Sequence, residues 1–173
     1  MSPSNEVREG LVEAIPNLRA FAMSLCGRSA WADDLVQETL VRAWAKADSY
    51  RDGTNLMAWL FTILRNEFYS QLRKRKREVE DIDGAQAAQL TAEPAQLPHL
   101  EVRDFKAALA LLPEDQREAI VLIGASGFSY DEAADIMGCA IGTVKSRLSR
   151  ARTRLAEILD GNELNETPEV AAE

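Results

Sequence analysis

Five basic side chains, Lys145, Arg147, Arg150, Arg152 and Arg154, stand within residues 138–155 (GCAIGTVKSRLSRARTRL), and no acidic residue interrupts them. Such cations pair with phosphate or carboxylate oxygens, and an arginine adds a planar fork that can hold two acceptors at once. Small hydroxyl residues, Ser146, Ser149 and Thr153, lie between them. On a helix of about 100° per residue, Val144, Leu148, Ala151 and Leu155 form one narrow apolar stripe. The opposite face presents Ser146, Ser149, Arg150 and Thr153. Lys145 and Arg152 flank it on one side, Arg147 and Arg154 on the other.

The surrounding residues say how this helix is held. Ser129-Tyr130-Asp131-Glu132 is a capping box, in which a serine caps a helix and a glutamate three residues on reaches back. Gly138 supplies a left-handed stop. A tight turn follows, and the basic helix is expected from about Gly142 to Leu159, its stripe packed on Ala133, Ile136 and Met137. Two short helices joined in this way make a helix-turn-helix, whose second helix enters the DNA major groove. An arginine there can pair with guanine through two bonds, small hydroxyls permit close approach, and flanking cations suit phosphates. Charge alone leaves a plainer alternative: a solvated amphipathic helix, or one that binds an acidic partner helix. The cap, the glycine, the turn and the stripe together favour DNA.

The rest of the chain is of opposite sign. Its 173 residues carry 28 acidic and 20 basic side chains, a formal net charge of −8, which argues against a non-specific nucleic-acid binder. The basic surface is therefore local. Two cysteines, Cys26 and Cys139, lie far apart in apolar settings and without zinc-ligand spacing; both read as reduced, buried fillers. With His99 as the single histidine, no metal or other cofactor is expected. The longest apolar runs, residues 57–64 and 119–125, are well short of the roughly 20 residues of a membrane span. The first residues lack a signal-peptide pattern, so a soluble cytoplasmic protein with no membrane contact is expected.

Helical periodicity dominates, and the fold class expected is all-α, two small helical domains joined by a flexible acidic linker. Leu11, Ile15, Leu18, Ala22 and Leu25 share a first helix face, with Pro16 interrupting that helix or marking its first turn. Leu35, Leu40, Trp44 and Ala47 form the apolar side of a second helix. Residues 50–55 (YRDGTN) are a turn by composition. A third helix runs from about Leu56 through Arg77 with Leu60, Ile63 or Leu64, Phe68 and Leu72 inward, and Trp59 as a core anchor. It ends in Arg73, Lys74, Arg75, Lys76 and Arg77, which suit phosphates or the negative end of the helix. Residues 78–101 contain six acidic side chains, two prolines and no Lys or Arg, which is a linker composition, with a short helix allowed at Ala85 to Leu90. Helices resume at Val102. One carries Phe105, Leu109 and Leu112 inward, and the next has Pro113 at its first turn. The domains expected are 1–77, linker 78–101, 102–160, and a disordered acidic tail 161–173.

The stretch FSYDEAADIMGCAIGTVKSRLSRARTRL resembles region 4 of the extracytoplasmic-function sigma factors of bacterial RNA polymerase. The preceding LPEDQREAIVLIGASG resembles the EcfG-type group, which serves the general stress response. The resemblance implies reading of the minus-thirty-five promoter element through Lys145, Ser146, Ser149 and Arg150. The helical wheel turns these outward, with Lys145 at the edge. DDLVQETLVRAWAKADSY is similar to the region 2 helix that docks on the β′ coiled coil of the polymerase, with Asp34, Gln37 and Glu38 at the docking positions. These three share one helix face by spacing. For NLMAWLFTILRNEFYSQLRKRKR and the loop before it, the resemblance implies recognition of the minus-ten element and capture of a flipped base by Tyr50 and Asn66. An aromatic face plus an amide suits an extruded base.

The function so implied is a promoter-specificity subunit of core polymerase, docking through the β′ coiled coil and the β flap. It would be held inactive by an anti-sigma factor of the NepR type, as a monomer or a heterodimer with it. The tether would let each half raise the effective concentration of the other on promoter DNA. The alternative is a sigma-like mimic that sequesters the anti-sigma factor and never touches promoters; the intact basic face and the lack of a receiver domain weigh against it. An ordinary helix-turn-helix repressor would need a dimer interface or a ligand pocket, and the sequence offers neither. Nothing pairs a nucleophile with a base, so no catalytic residues are assigned and an enzyme is not expected.

Overall fold

The computed structural model describes residues 5–81 and 100–163. Among them there are helices, helical turns and loops, and no strand, as the all-α expectation requires. Seven α-helices follow in order: α1 Asn5–Cys26, α2 Ser29–Ala45, α3 Leu56–Asp81, α4 Leu100–Ala110, α5 Glu114–Ile120, α6 Tyr130–Met137 and α7 Ile141–Glu163. A 3-10 turn, Ala47–Ser49, lies between α2 and α3, and a π-helical turn, Val121–Ala125, follows α5.

The first half is a three-helix bundle in which α1, α2 and α3 pack on one another. Val7, Leu11, Ala14, Leu18, Phe21, Ala22 and Leu25 bury one side of α1. Pro16 neither interrupts α1 nor starts it; the helix runs through. Pro16, like Val12 four residues earlier, faces solvent, so the carbonyl left without an intrahelical donor can be satisfied by water. Ile15, expected inward, is exposed on the same side.

The inward face of α2 also differs from expectation. Trp31, Ala32, Leu35, Val36, Thr39 and Ala43 are buried, whereas Trp44 is 47% exposed and Leu40 is half-buried. Two candidate stripes overlap on this helix at Leu35, and packing against α3 selects the one carrying Trp31, whose ring lies 5.3 Å from Phe68. Thr39 is tolerated inside because its hydroxyl donates to the Leu35 carbonyl. In α3, Leu60, Phe61, Leu64 and Phe68 are buried; Ile63, Leu72 and Trp59 are half-buried at the edge of the core.

In the second half, α4, α5 and α6 all pack on α7. The stripe of α7 is buried as expected, with Val144, Leu148, Ala151 and Leu155 at 8% exposure or less. Each large apolar side chain so buried contributes roughly 1.5–3 kcal/mol. Phe105 departs from expectation: Ala108 and Leu112 turn inward and Phe105 is left 44% exposed.

The two halves share a core. One buried cluster runs from Val7 on α1 to Leu148 on α7, and Phe61 stacks on Phe21 (centroids 4.7 Å apart) and meets Phe128 edge-on (4.9 Å). A smaller cluster joins Ala108 and Leu112 to Ala151 and Leu155. Helix α3 extends to Asp81, so the first four residues of the expected linker are helical, and α7 extends to Glu163. The expected helix at Ala85 to Leu90 and the tail beyond residue 163 lie outside the described residues.

Candidate nucleic-acid interface

Residues 129–155 form the expected helix-turn-helix, and local bonds account for it. The Ser129 hydroxyl accepts from the Glu132 amide at 3.2 Å, and a Glu132 carboxylate oxygen accepts from the Ser129 amide at 2.9 Å. Gly138 ends α6 at φ 64° and ψ 38°, a left-handed conformation that a Cβ would strain. The amide of Cys139 then bonds back to the Ala134 carbonyl, which closes the turn.

On α7, Lys145, Ser146, Ser149 and Arg150 are all exposed, as are Arg152, Thr153 and Arg154. The Lys145 ammonium lies 5.4 Å from the Tyr130 ring centre, a cation–π contact that steadies it near the start of α7. The Ser146 hydroxyl donates to the Thr143 carbonyl, leaving its lone pairs outward. Arg147, expected among the phosphate contacts, is half-buried instead. It pairs with Asp115 of α5 at 3.2 Å and reaches the Cys139 sulfur at 3.8 Å, so it braces the turn against α5.

In the first half, Asp34 and Gln37 are exposed on α2 and Glu38 is half-buried beside them. Glu38 begins a polar chain along the α2–α3 seam. Arg42 Nε donates to Glu38 at 2.8 Å and forms an ion pair with Glu67 at 2.9 Å. Gln71 donates to Glu67 at 3.0 Å and accepts from the Trp31 indole at 2.8 Å. The Arg75 guanidinium sits 3.9 Å over the Trp31 ring, so this member of the basic run lies along the bundle. All five members of the run, Arg73, Lys74, Arg75, Lys76 and Arg77, are exposed. Burial pushes the Cys26 thiol up to about 12, against the nearby Arg75, which acts in the opposite direction. Cys26 is thus the buried, unreactive filler expected; Cys139 is half-buried.

Tyr50 is half-buried in the loop before α3, where its hydroxyl donates to the Thr54 carbonyl at 2.6 Å and its ring packs 5.3 Å from Trp59. Asn66 is exposed on α3, about three helical turns beyond that loop. No contact joins the two side chains among the described residues. Between them on α3 lies a residue that sequence reasoning passed over, Arg65. It forms an ion pair with Glu118 of α5, which is fully buried. The Tyr69 hydroxyl reaches the second Glu118 oxygen at 3.3 Å. Desolvation raises the Glu118 carboxyl above its usual range, and the bonds from Arg65 and Tyr69 oppose that rise. The sequence signal for Glu118 is an acid on the apolar side of α5, beside Ala119 and one turn before Leu122. A third missed residue is Asn55. Its side chain caps α3 by accepting from the Ala58 amide at 3.2 Å, and donates to Glu132 of the capping box at 2.7 Å.

A three-helix bundle with a helix-turn-helix packed on it is the arrangement of a sigma-70-type transcription factor, and comparison with known proteins agrees in both halves. Sigma-70 region 2 matches residues 11–78 and Sigma-70, region 4 matches residues 103–155. A relative, the ECF RNA polymerase sigma factor EcfG of Rhodopseudomonas palustris (strain TIE-1), is 58% identical over 165 residues, covering 94% of this chain and 91% of its own length. The sigma factor RpoE of Bartonella quintana, solved in complex with the anti-sigma factor NepR, is 59% identical with a TM-score of 0.81, over 91% of this chain and 98% of that one. The PhyRSL–NepR complex from Sphingomonas sp. Fr1 shares the fold at 23% identity, with a TM-score of 0.63 over 86% of each chain. The chain belongs to the extracytoplasmic-function family of RNA polymerase sigma factors. It is a DNA-binding transcription regulator, and among the described residues no helix is long and apolar enough to cross a membrane.

Proposed function

We propose that this sigma factor directs core RNA polymerase to stress-response promoters and is held in check by a NepR-type anti-sigma factor. The helix-turn-helix reads the upstream element as duplex. Lys145, Ser146, Ser149 and Arg150 face base edges, while Arg152 and Arg154 take phosphates. The single observation that carries this reading is α7 itself, with its stripe buried to 8% exposure or less and its Ser149–Arg150 face open. Asp34, Gln37 and Glu38 dock on the β′ coiled coil, Glu38 held in place by Arg42. Tyr50 and Asn66 serve the downstream element, and the exposed Arg73, Lys74, Lys76 and Arg77 offer cations to its phosphates. Arg147 is left out of the phosphate set because it pairs with Asp115 within the fold, and Arg75, though exposed, because its guanidinium lies over the Trp31 ring. Catalysis belongs to the polymerase, and the setting is cytoplasmic.

The anti-sigma partnership is supported by the Bartonella quintana relative, which was solved with NepR bound and shares the fold along nearly its whole length. A mimic that binds such an inhibitor without touching promoters would have the same fold, so the basic face is what favours a promoter reader. Transcription from a promoter library with purified core polymerase tests the proposal. The intact chain is expected to give promoter-dependent transcripts. Arg150→Ala is expected to lose upstream discrimination by about 1–3 kcal/mol, the worth of one bidentate base contact. A mimic gives no transcript, and unchanged selectivity removes Arg150 from the reading face.

A further inference from the structure

The two halves of the chain meet around a carboxylate that neither could bury alone. Glu118 of α5 is fully buried, and both groups that bond its oxygens, Arg65 and Tyr69, come from α3 of the other half. The Arg65 guanidinium is itself oriented by lying 4.6 Å from the centre of the Tyr69 ring. Burying a charge is tolerated only where it is paired, so this contact has a direction and a register that apolar packing lacks. A second tie lies at the N-terminus of α3, where Asn55 donates to Glu132 at 2.7 Å. Between the two ties, the Phe61 ring meets Phe128 edge-on at 4.9 Å.

This arrangement does not fit simultaneous reading of two promoter elements. Elements labelled minus thirty-five and minus ten lie about 25 base pairs apart, about 85 Å on straight duplex at ~3.4 Å per pair. From Glu132 to Arg150 the chain passes through α6, a short turn and the first half of α7. That path spans no more than about 35 Å at ~1.5 Å per helical residue and ~3.4 Å per extended one. Tyr50 stands in the same short loop as Asn55, within about 17 Å even if that loop were fully extended. With Asn55 bonded to Glu132, the two candidate reading sites stay well inside the separation they must bridge.

We propose that Glu118 is an interdomain latch: paired with Arg65 and Tyr69, it holds the free chain closed, and it must release before both promoter elements are engaged. The consequence for promoters rests on the two-element reading given above. The closed state itself does not, and it is measured without DNA. A helical inhibitor would then meet two halves already gathered, which lowers the ordering cost of binding both.

Small-angle scattering of the full free chain, with circular dichroism as a check on folding, tests the latch. A compact chain of 173 residues has a radius of gyration of about 16 Å, and the wild type is expected to scatter as such a particle. Arg65→Glu sets two carboxylates against each other and is expected to enlarge the radius with helicity unchanged. The double variant Arg65→Glu/Glu118→Arg restores an ion pair and is expected to return to the wild-type radius. Asn55→Asp gives an independent opener. Aspartate caps a helix as well as asparagine does, so α3 keeps its cap, while the donor to Glu132 is replaced by a like charge. If Arg65→Glu loses helicity, Asn55→Asp decides the matter: a larger radius supports closure through this seam, and an unchanged one overturns it. An extended wild type, a compact and fully helical Arg65→Glu, or a double variant as open as the single one would each overturn the latch. None of these measurements involves transcription, so failure of the latch and failure of the promoter reading are distinguishable.

Discussion

Glu132 makes two bonds with two consequences. One oxygen accepts from the Ser129 amide at 2.9 Å and completes the cap of α6; the other accepts from Asn55 of the opposite half at 2.7 Å. Both donors favour the ionised form, the Ser129 amide most, and hold the carboxyl below its ordinary range. A carboxyl depressed in the folded state adds stability that is fully present above its unfolded value, about 4.3, and is lost as pH falls through the lower folded value. Glu132→Gln keeps one acceptor and turns a donor towards the other partner. The variant should therefore melt below the wild type at pH 7, and the gap should narrow as pH falls below the unfolded value and on towards the lower folded one. Melting temperatures of the pair across that range check the sign; a gap that widens in acid contradicts it. Glu118 is the opposite case, a carboxyl raised by desolvation, so its charge opposes closure as pH rises and depends on Arg65 to offset that cost.

Among the elements, α6 and α7 were legible in the sequence because everything that defines them is local. A capping box needs four residues, a left-handed stop needs one glycine, and a buried stripe shows in its own spacing. Ser129→Ala tests the first of these. It removes the hydroxyl that accepts from the Glu132 amide and is expected to cost about 0.5–2 kcal/mol, read from denaturant midpoints. A cost near zero would mean that the helix is held from elsewhere. Helix α2 was less legible for a physical reason. Trp44 and Leu40 make one plausible apolar face, Trp31, Val36 and Ala43 another, and nothing within the helix says which neighbour it meets. Trp44 ends at the surface, with the Arg8 guanidinium 5.7 Å from its ring centre. The effect of Pro16 is not legible locally because it depends on which side of α1 the proline occupies, and on the solvent side a missing donor is tolerated. The seam was the least legible part. Glu118, Arg65 and Asn55 are ordinary charged and polar residues until two segments far apart in sequence are brought together.

At the scale of the whole molecule, domain count and cooperative units differ. The chain reads as two family regions separated by an acidic stretch, yet Phe61 of the first touches Phe21 on one side and Phe128 of the second on the other. Both Phe61 and Leu122 are fully buried within one cluster spanning the halves. Separation of the halves would expose these rings and leave Glu118 either hydrated or unpaired, so neither half is indifferent to the other. The free chain should then unfold in one calorimetric transition, with equal van't Hoff and calorimetric enthalpies. Phe128→Ala removes a ring buried at the seam. Truncations of this kind cost about 3–5 kcal/mol when the site cannot collapse, but here the loss falls on the contact between halves rather than within either one. The bundle of α1, α2 and α3 keeps its own stacked pair, Phe21 on Phe61, and α7 keeps its buried stripe. The variant should accordingly unfold in two steps, or in one broadened step whose van't Hoff enthalpy falls below the calorimetric value. Two transitions already present in the wild type would mean that the shared core contributes little, and that the halves are joined by chain rather than by packing.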